Sequence, residues 1–111
     1  MGTRQNKIAR LIQKEIAVIF QQYAQNIYPG GMVTVTVVRI TPDLGLAKVY
    51  LSIFPSNKKD EVMEYIHSNT KNFRHALSQT IRSQLKKMPE LQFFVDDSLD
   101  YIENIENLLK K

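Results

Sequence analysis

The chain has 111 residues, no cysteine and a formal net charge of +4. This length predicts one domain over residues 1–111, and the lack of cysteine excludes a disulfide framework and a thiolate metal site. The first residues are polar and basic, and no apolar run approaches membrane-spanning length. We therefore expect a cytoplasmic protein with no membrane partner.

Charge is unevenly distributed along the chain. Residues 1–14 carry four basic side chains and no acidic one, whereas residues 96–106 carry five acidic side chains and no basic one. Such segregation gives the molecule a basic side and an acidic end. A polyanion is the simplest partner for the basic side.

Helical periodicity predicts a first amphipathic helix over about residues 5–23. Its apolar face is formed by Ile8, Leu11, Ile12, Ile16, Ile19, Phe20 and Tyr23. Lys7, Arg10 and Lys14 recur at spacings of three and four on nearly the opposite face, and Arg4 precedes them. This basic stripe is a candidate phosphate-binding surface.

Alternating apolar residues then predict two β-strands, over residues 33–40 and 47–54. The turn residues from Thr41 to Gly45 join them into an antiparallel hairpin. Because Arg39 falls on the apolar side after Val38, we expect a bulge or the strand end there. The second strand should face the helices with Ala47, Val49, Leu51 and Ile53.

Ser56 or Asn57 is the candidate cap of a second helix with a narrow apolar face. Ser68-Asn69-Thr70 follows, and these weak helix formers predict a break because their side chains compete for backbone hydrogen bonds. A central helix is then predicted from Lys71 to Lys87, stopped by Pro89. Its apolar positions, spaced by three or four, are Phe73, Leu77, Ile81, Leu85 and Met88.

Residues 91–95 predict a short buried strand, which a crossover through the central helix places in the same sheet as an earlier strand. Asp97 or Ser98 would cap a last helix with an apolar face and an acidic face. The predicted fold class is α+β, with the order helix, strand, strand, helix, break, helix, strand, helix.

The predicted central helix carries five basic side chains and no acidic one. Arg74 borders its apolar stripe, while Lys71, Arg82 and Lys86 fall opposite the stripe. Two helices with the same arrangement favour nucleic-acid binding, although such charges also serve solubility alone. If Asn69 or Thr70 caps this helix, its free backbone N–H groups and Lys71 form a phosphate site.

Catalytic signals are absent from the sequence. It contains no glycine-rich phosphate loop, no metal-binding His-Glu pair and no nucleophile elbow. His67 and His75, the only histidines, have no carboxylates at ligand spacing. We therefore expect no enzymatic activity, cofactor, metal or small-molecule substrate.

Two short segments of the chain are specific in combination: Asp-Leu-x-x-Ala-Lys-Val from Asp43 to Val49 and Pro-Glu-Leu-x-Phe from Pro89 to Phe93. Together they resemble the ribosome-binding factor A family of bacterial small-subunit assembly factors. The resemblance covers nearly the whole chain. Its other segments are Arg4-Gln5-Asn6-Lys7-Ile8, Val35-Thr36-Val37-Val38 and Phe73-Arg74-His75-Ala76-Leu77.

The resemblance implies a type II KH-like fold, with a three-stranded mixed sheet backed by helices. It also implies binding to the immature small subunit and its 16S rRNA, assistance in late rRNA maturation and importance for growth in the cold. We expect the protein to be a monomer. Family members usually have a small residue, any residue and glycine at the helix break. Here Asn69, Thr70 and Lys71 stand there, and lysine disfavours the positive φ that glycine tolerates.

Two other classes of function stay open on the residues alone. One is a KH-like protein that binds other RNA, or DNA. The other is a protein-interaction module whose acidic last helix meets a basic partner. The dependence of binding on salt separates the polyanion binders from the interaction module.

Overall fold

The computed structural model describes residues 3–85 and 87–96. The helices are α1 (Thr3–Gln22), α2 (Ala24–Ile27), α3 (Lys59–Ser68) and α4 (Thr70–Ile81), and the strands are β1 (Met32–Ile40), β2 (Leu46–Phe54) and β3 (Glu90–Val95). Short 3₁₀ turns precede α3 and follow α4, at Ser56–Lys58 and Arg82–Gln84. The predicted last helix lies outside the described residues.

The three strands form one mixed sheet in the order β1-β2-β3. β1 and β2 are antiparallel, whereas β2 and β3 are parallel, with Leu46 opposite Glu90 and Leu51 opposite Val95. A parallel pair needs a crossover connection, which α3 and α4 provide here. The predicted α+β class and the mixed sheet backed by helices are confirmed.

The core lies between the sheet and the helices. β2 buries the four alternating residues that the sequence assigned to its inward face, Ala47, Val49, Leu51 and Ile53. Three rings from separate elements meet over this face: Phe20 lies 4.9 Å from Phe73 and 5.6 Å from Phe93, between ring centroids. Because Phe20 is near the end of α1 and Phe73 near the start of α4, the two helices run antiparallel.

β1 contains a bulge, but it lies before Val38 and not after it. Val35 pairs with Leu51 and Val37 with Tyr50, so Thr36 is the extra residue. This shift turns Val38 into the core and leaves Arg39 exposed. The side-chain hydroxyl of this extra residue, Thr36, donates a 2.7 Å hydrogen bond to the Asp96 carboxylate beyond the end of β3.

Two glutamines of α1 bind backbone carbonyls of β1, which is one of the two outer strands of the sheet. The Gln5 side-chain amide donates to Ile40 O at 3.1 Å, and that of Gln13 donates to Thr36 O at 3.5 Å. The eight-residue spacing places both on one side of α1. These bonds align α1 along β1, which fixes the direction of its other faces.

The helix break is confirmed, but the predicted cap is wrong. Asn69 alone separates α3 from α4, and it makes no side-chain capping bond. Its amide donates to Tyr65 O at 2.9 Å, and the Thr70 hydroxyl donates to Ile66 O at 3.2 Å. The side chains thus bond backward to α3. Lys71, which stands where family members usually have glycine, lies in the first turn of α4 and has no positive φ, so this break does not require glycine.

The prediction that the central helix continues to Lys87 is also wrong. The α-helix ends at Ile81, and Leu85 is extended with φ −125° and ψ 135°. Glu90 must start β3 beside Leu46, and a helix ending at Lys87 would leave only two residues for the return to the sheet. Leu85 and Met88 still pack against the core, from an extended segment.

The second helix was also predicted to be capped by Ser56 or Asn57, and this is wrong. Both residues belong to the 3₁₀ turn before α3, and no side chain caps either element. Asn57 instead accepts a 3.3 Å hydrogen bond from the Tyr28 hydroxyl, which also lies 2.7 Å from Pro55 O.

None of the described helices is both long and apolar enough to cross a bilayer.

Candidate nucleic-acid interface

The basic residues of α1 form one exposed row. Ile8, Ile12 and Ile16 are buried on the inner side of the helix, which directs the basic side chains at spacings of three and four to the other side. All four members of the row are exposed: Arg4, Lys7, Arg10 and Lys14. The row is about 15 Å long at 1.5 Å per residue. A row of this length can contact several phosphates of a nucleic-acid backbone.

A groove of about 390 Å³ opens at the start of this row. Its walls are the first turns of α1, the β1–β2 turn and four residues after α4, which the antiparallel packing of α1 and α4 brings together: Gln84, Leu85, Lys87 and Pro89. Arg4, Lys7 and Lys87 line its polar parts, and its apolar lining is Ile8, Leu44, Leu85 and Pro89. We call this site the basic groove.

Lys87 was not among the predicted site residues. The predicted helix through residue 87 would have set the direction of the Lys87 side chain by helical geometry. In the structure the helix ends earlier, and Lys87 lines the same groove as Arg4. No sequence pattern links residues 83 positions apart. The one signal in the sequence for an earlier helix end was Pro89, because several non-helical residues are needed between the helix and the strand that follows Pro89.

The β1–β2 turn is held by Asp43. Its carboxylate accepts a 2.7 Å hydrogen bond from the Thr41 hydroxyl and a 3.0 Å bond from the Gly45 backbone N–H. The Thr41 bond is the main cause of the lowered pKa of Asp43, followed by the Gly45 bond, with a smaller contribution from the charge of Lys87. Asp43 therefore stays ionised beside the cations of the basic groove.

Leu44 has a φ of 61°, which is costly for a leucine. Glycine tolerates this conformation, yet the chain places Gly45 one residue later. The Leu44 side chain is half-buried, packs against the core and lines the basic groove. The strained turn thus supplies an apolar side chain to the groove wall.

Arg74, a predicted RNA contact, already has protein partners. Its guanidinium donates from Nε to Pro89 O at 3.1 Å and from Nη2 to Met88 O at 3.0 Å. Nη2 also lies 3.6 Å from a carboxylate oxygen of Glu90. The side chain is about one-third exposed, so its principal observed role is to fix the segment that leads into β3.

We expect Arg74→Lys to lower the free energy of unfolding by about 1–2 kcal/mol, because lysine cannot reproduce the two directed bonds to carbonyls. Urea denaturation measures the effect. Arg82→Lys, at an exposed position eight residues later, is the matched control and should change stability by less than about 0.5 kcal/mol. Equal stability of the two variants would contradict this role for Arg74.

The other predicted contacts lie in two places. Lys71 is exposed in the first turn of α4, and the half-buried Asn69 and Thr70 precede it at the break. Arg82 is exposed in the 3₁₀ turn after α4, two residues before Gln84 of the groove lining. The 12 residues of α4 separate these places by about 18 Å. Lys86 lies outside the described residues.

The two histidines have neighbours in the protein. His67 Nε2 lies 3.0 Å from Phe93 O, and His75 Nε2 lies 3.1 Å from the Gln79 amide. Across residues 3–85 and 87–96, no group of three His, Cys, Asp or Glu side chains could hold a metal ion.

On the outer face of the sheet, Tyr50 stacks on Phe94 at 5.4 Å between centroids, and Phe54 is exposed.

Comparison with known proteins identifies the family. The sequence model of ribosome-binding factor A matches residues 4–109. The ribosome-binding factor A of Flavobacterium psychrophilum is 48% identical over 107 residues, covering 96% of this chain and 82% of the relative.

Two structural likenesses share the fold at low sequence identity. The crystal structure of the Thermus thermophilus factor has a TM-score of 0.68 at 18% identity, covering 82% of this chain and 94% of the other. A homology model of that factor, fitted into a cryo-electron microscopy map of its 30S complex, has a TM-score of 0.63 at 18% identity, covering 78% and 89%. The family match and the sequence identity together show that the chain belongs to the ribosome-binding factor A family.

Proposed function

We propose that this protein is a non-enzymatic assembly factor that binds the immature 30S subunit through its 16S rRNA. Family membership supports the small subunit as the partner, as does the 30S complex described for the Thermus thermophilus protein. We further propose that it assists late maturation of the rRNA, supports growth in the cold and acts as a cytoplasmic monomer.

The exposed basic row on α1 is the observation that carries this proposal. A row of four cations, backed by the buried isoleucines of the same helix, presents positive charge on a rigid element. Each neutralised phosphate releases counterions, which makes the affinity strongly dependent on salt. Arg82, in the 3₁₀ turn after α4, adds a further exposed cation.

The proposed mechanism is positional. The protein grips rRNA phosphates and holds a folding intermediate of the rRNA in one conformation. A ligand can shift such an equilibrium only by its differential affinity for the two states. The factor must therefore bind immature subunits more tightly than mature ones.

Co-sedimentation tests the proposal directly. The protein should sediment with immature 30S subunits, bind mature 70S ribosomes and duplex DNA more weakly, and lose affinity as salt is raised. Equal binding to RNA of any origin, or to DNA, would favour a general nucleic-acid binder. Binding to a protein partner without salt dependence would favour an interaction module.

We also propose a phosphate contact at the helix break, although no side chain caps α4. Lys71 is exposed in the first turn, where the helix dipole favours an anion. Lys71→Gln should weaken 30S binding and reduce the logarithmic salt slope by about one or less. Lys58→Gln removes an exposed lysine before α3 and serves as the control. Identical binding by the two variants would show that the break only turns the chain.

A further inference from the structure

We propose that the basic groove binds one unstacked nucleotide of the RNA, with the base against its apolar wall and the phosphate on its cations. This inference rests on the proposed function and adds a specific ligand to it. The groove shares Arg4 and Lys7 with the α1 row, but it differs from the rest of the row because it is concave and combines charged with apolar surface. A volume of about 390 Å³ falls within the range of small-ligand sites, about 300–1,000 Å³.

The apolar wall indicates a base rather than backbone alone. A phosphate contact needs only positive charge and hydrogen-bond donors. Here Leu44, Leu85 and Pro89 also line the groove, so a bound group must cover apolar surface. Unstacked bases of single-stranded RNA have flat apolar faces suited to such a wall.

The charges divide the groove between the two parts of a nucleotide. Arg4, Lys7 and Lys87 supply three cations for a phosphate. Asp43 lies in the same lining and stays ionised, since its pKa is lowered by the Thr41 hydroxyl. A carboxylate repels a second phosphate, so the part of the ligand that faces Asp43 must be uncharged, as a base is.

The conformation of Leu44 supports a built site. Its φ of 61° is unfavourable for leucine, and the strain persists because the surrounding turn is fixed by Asp43. This conformation places an apolar side chain in the groove lining, together with Leu85 and Pro89.

The test compares two RNA hexamers of equal charge, one normal and one in which every nucleotide is abasic. Fluorescence anisotropy measures their affinity for the full chain. We expect the normal hexamer to bind about fivefold tighter, because one of its bases can cover the aliphatic wall of the groove and an abasic nucleotide cannot. In Leu85→Ala the preference should fall to less than about twofold, with unchanged affinity for the abasic hexamer, because part of that wall is removed.

Met88→Ala is the matched control. Met88 is a half-buried apolar residue of the same segment that packs against the core, but it is absent from the groove lining. It should keep the fivefold preference, which separates loss of the wall from loss of stability. Thermal melting confirms that both variants are folded at the temperature of the assay.

Each outcome is decisive. Equal binding of the two hexamers by the parent protein overturns the nucleotide site and leaves the proposed rRNA binding intact, with phosphates as the only contacts. Loss of the preference in both variants also overturns the site, because the effect would then not depend on the groove. Failure to bind either hexamer, together with failure to bind 30S subunits, contradicts both proposals.

Discussion

Replacing Leu77 with alanine should lower the free energy of unfolding by about 2–5 kcal/mol. Leu77 has no solvent exposure and lies in the same buried core as Val49 and Leu51 of β2. The substitution removes buried methyl groups and leaves a cavity that the rigid sheet cannot readily close. Thermal denaturation should show a midpoint at least about 8 °C below that of the parent.

Thr80→Ala is the control on the same helix. Thr80 is exposed, and its hydroxyl only bonds back to Ala76 O at 3.3 Å. Alanine has the higher helix propensity, so the control should lie within about 0.5 kcal/mol of the parent or be slightly more stable. A Leu77→Ala midpoint equal to the control's would mean that this face of α4 does not support the core.

The largest effect on binding is expected from neutralising the row on α1. In the triple variant Lys7→Gln, Arg10→Gln, Lys14→Gln, the slope of log affinity against log salt should fall in magnitude by about two to three, since each lost phosphate contact removes about 0.7–0.9. The three side chains are exposed, so the fold should be unaffected. Filter binding of 16S rRNA between 50 and 400 mM salt, about the range where such slopes are read, measures the change.

A second triple variant controls for net charge. Arg39→Gln, Lys48→Gln and Lys58→Gln remove the same number of positive charges from the sheet and from the turn before α3. We expect its salt slope to change by less than about one, because only the general attraction is reduced. Similar slopes for the two triple variants would place the RNA elsewhere.

Local sequence patterns were sufficient to predict much of the fold. The alternation in β2 predicted its buried face, because a two-residue period has only two solutions and the lysine at position 48 excludes one. The break at Asn69 was predictable because its cause is local: side chains compete for the carbonyls of the preceding turn. Pro89 likewise fixed the start of β3 to within one residue.

The end of α4 and the basic groove were not predictable in this way. Leu85 and Met88 keep the helical spacing, yet they reach the core from an extended segment because β3 must pair with β2. The spacing therefore correctly predicted that Leu85 and Met88 pack against the core, but it wrongly predicted that they do so from a helix. The groove joins Arg4 to Lys87 through the antiparallel packing of two helices, and no local pattern encodes that contact.

The bonds from Gln5 and Gln13 to β1 have a consequence for synthesis of the chain. An outer strand with unpaired backbone groups can recruit strands from other molecules, and the risk is greatest while a chain is incomplete. Translation proceeds from the N-terminus, so α1 is complete before the carbonyls of Thr36 and Ile40 exist. When the β1–β2 hairpin forms, α1 is therefore already available to bind the outer edge of β1. The other edge of the hairpin, on β2, is paired only after β3 has been synthesised.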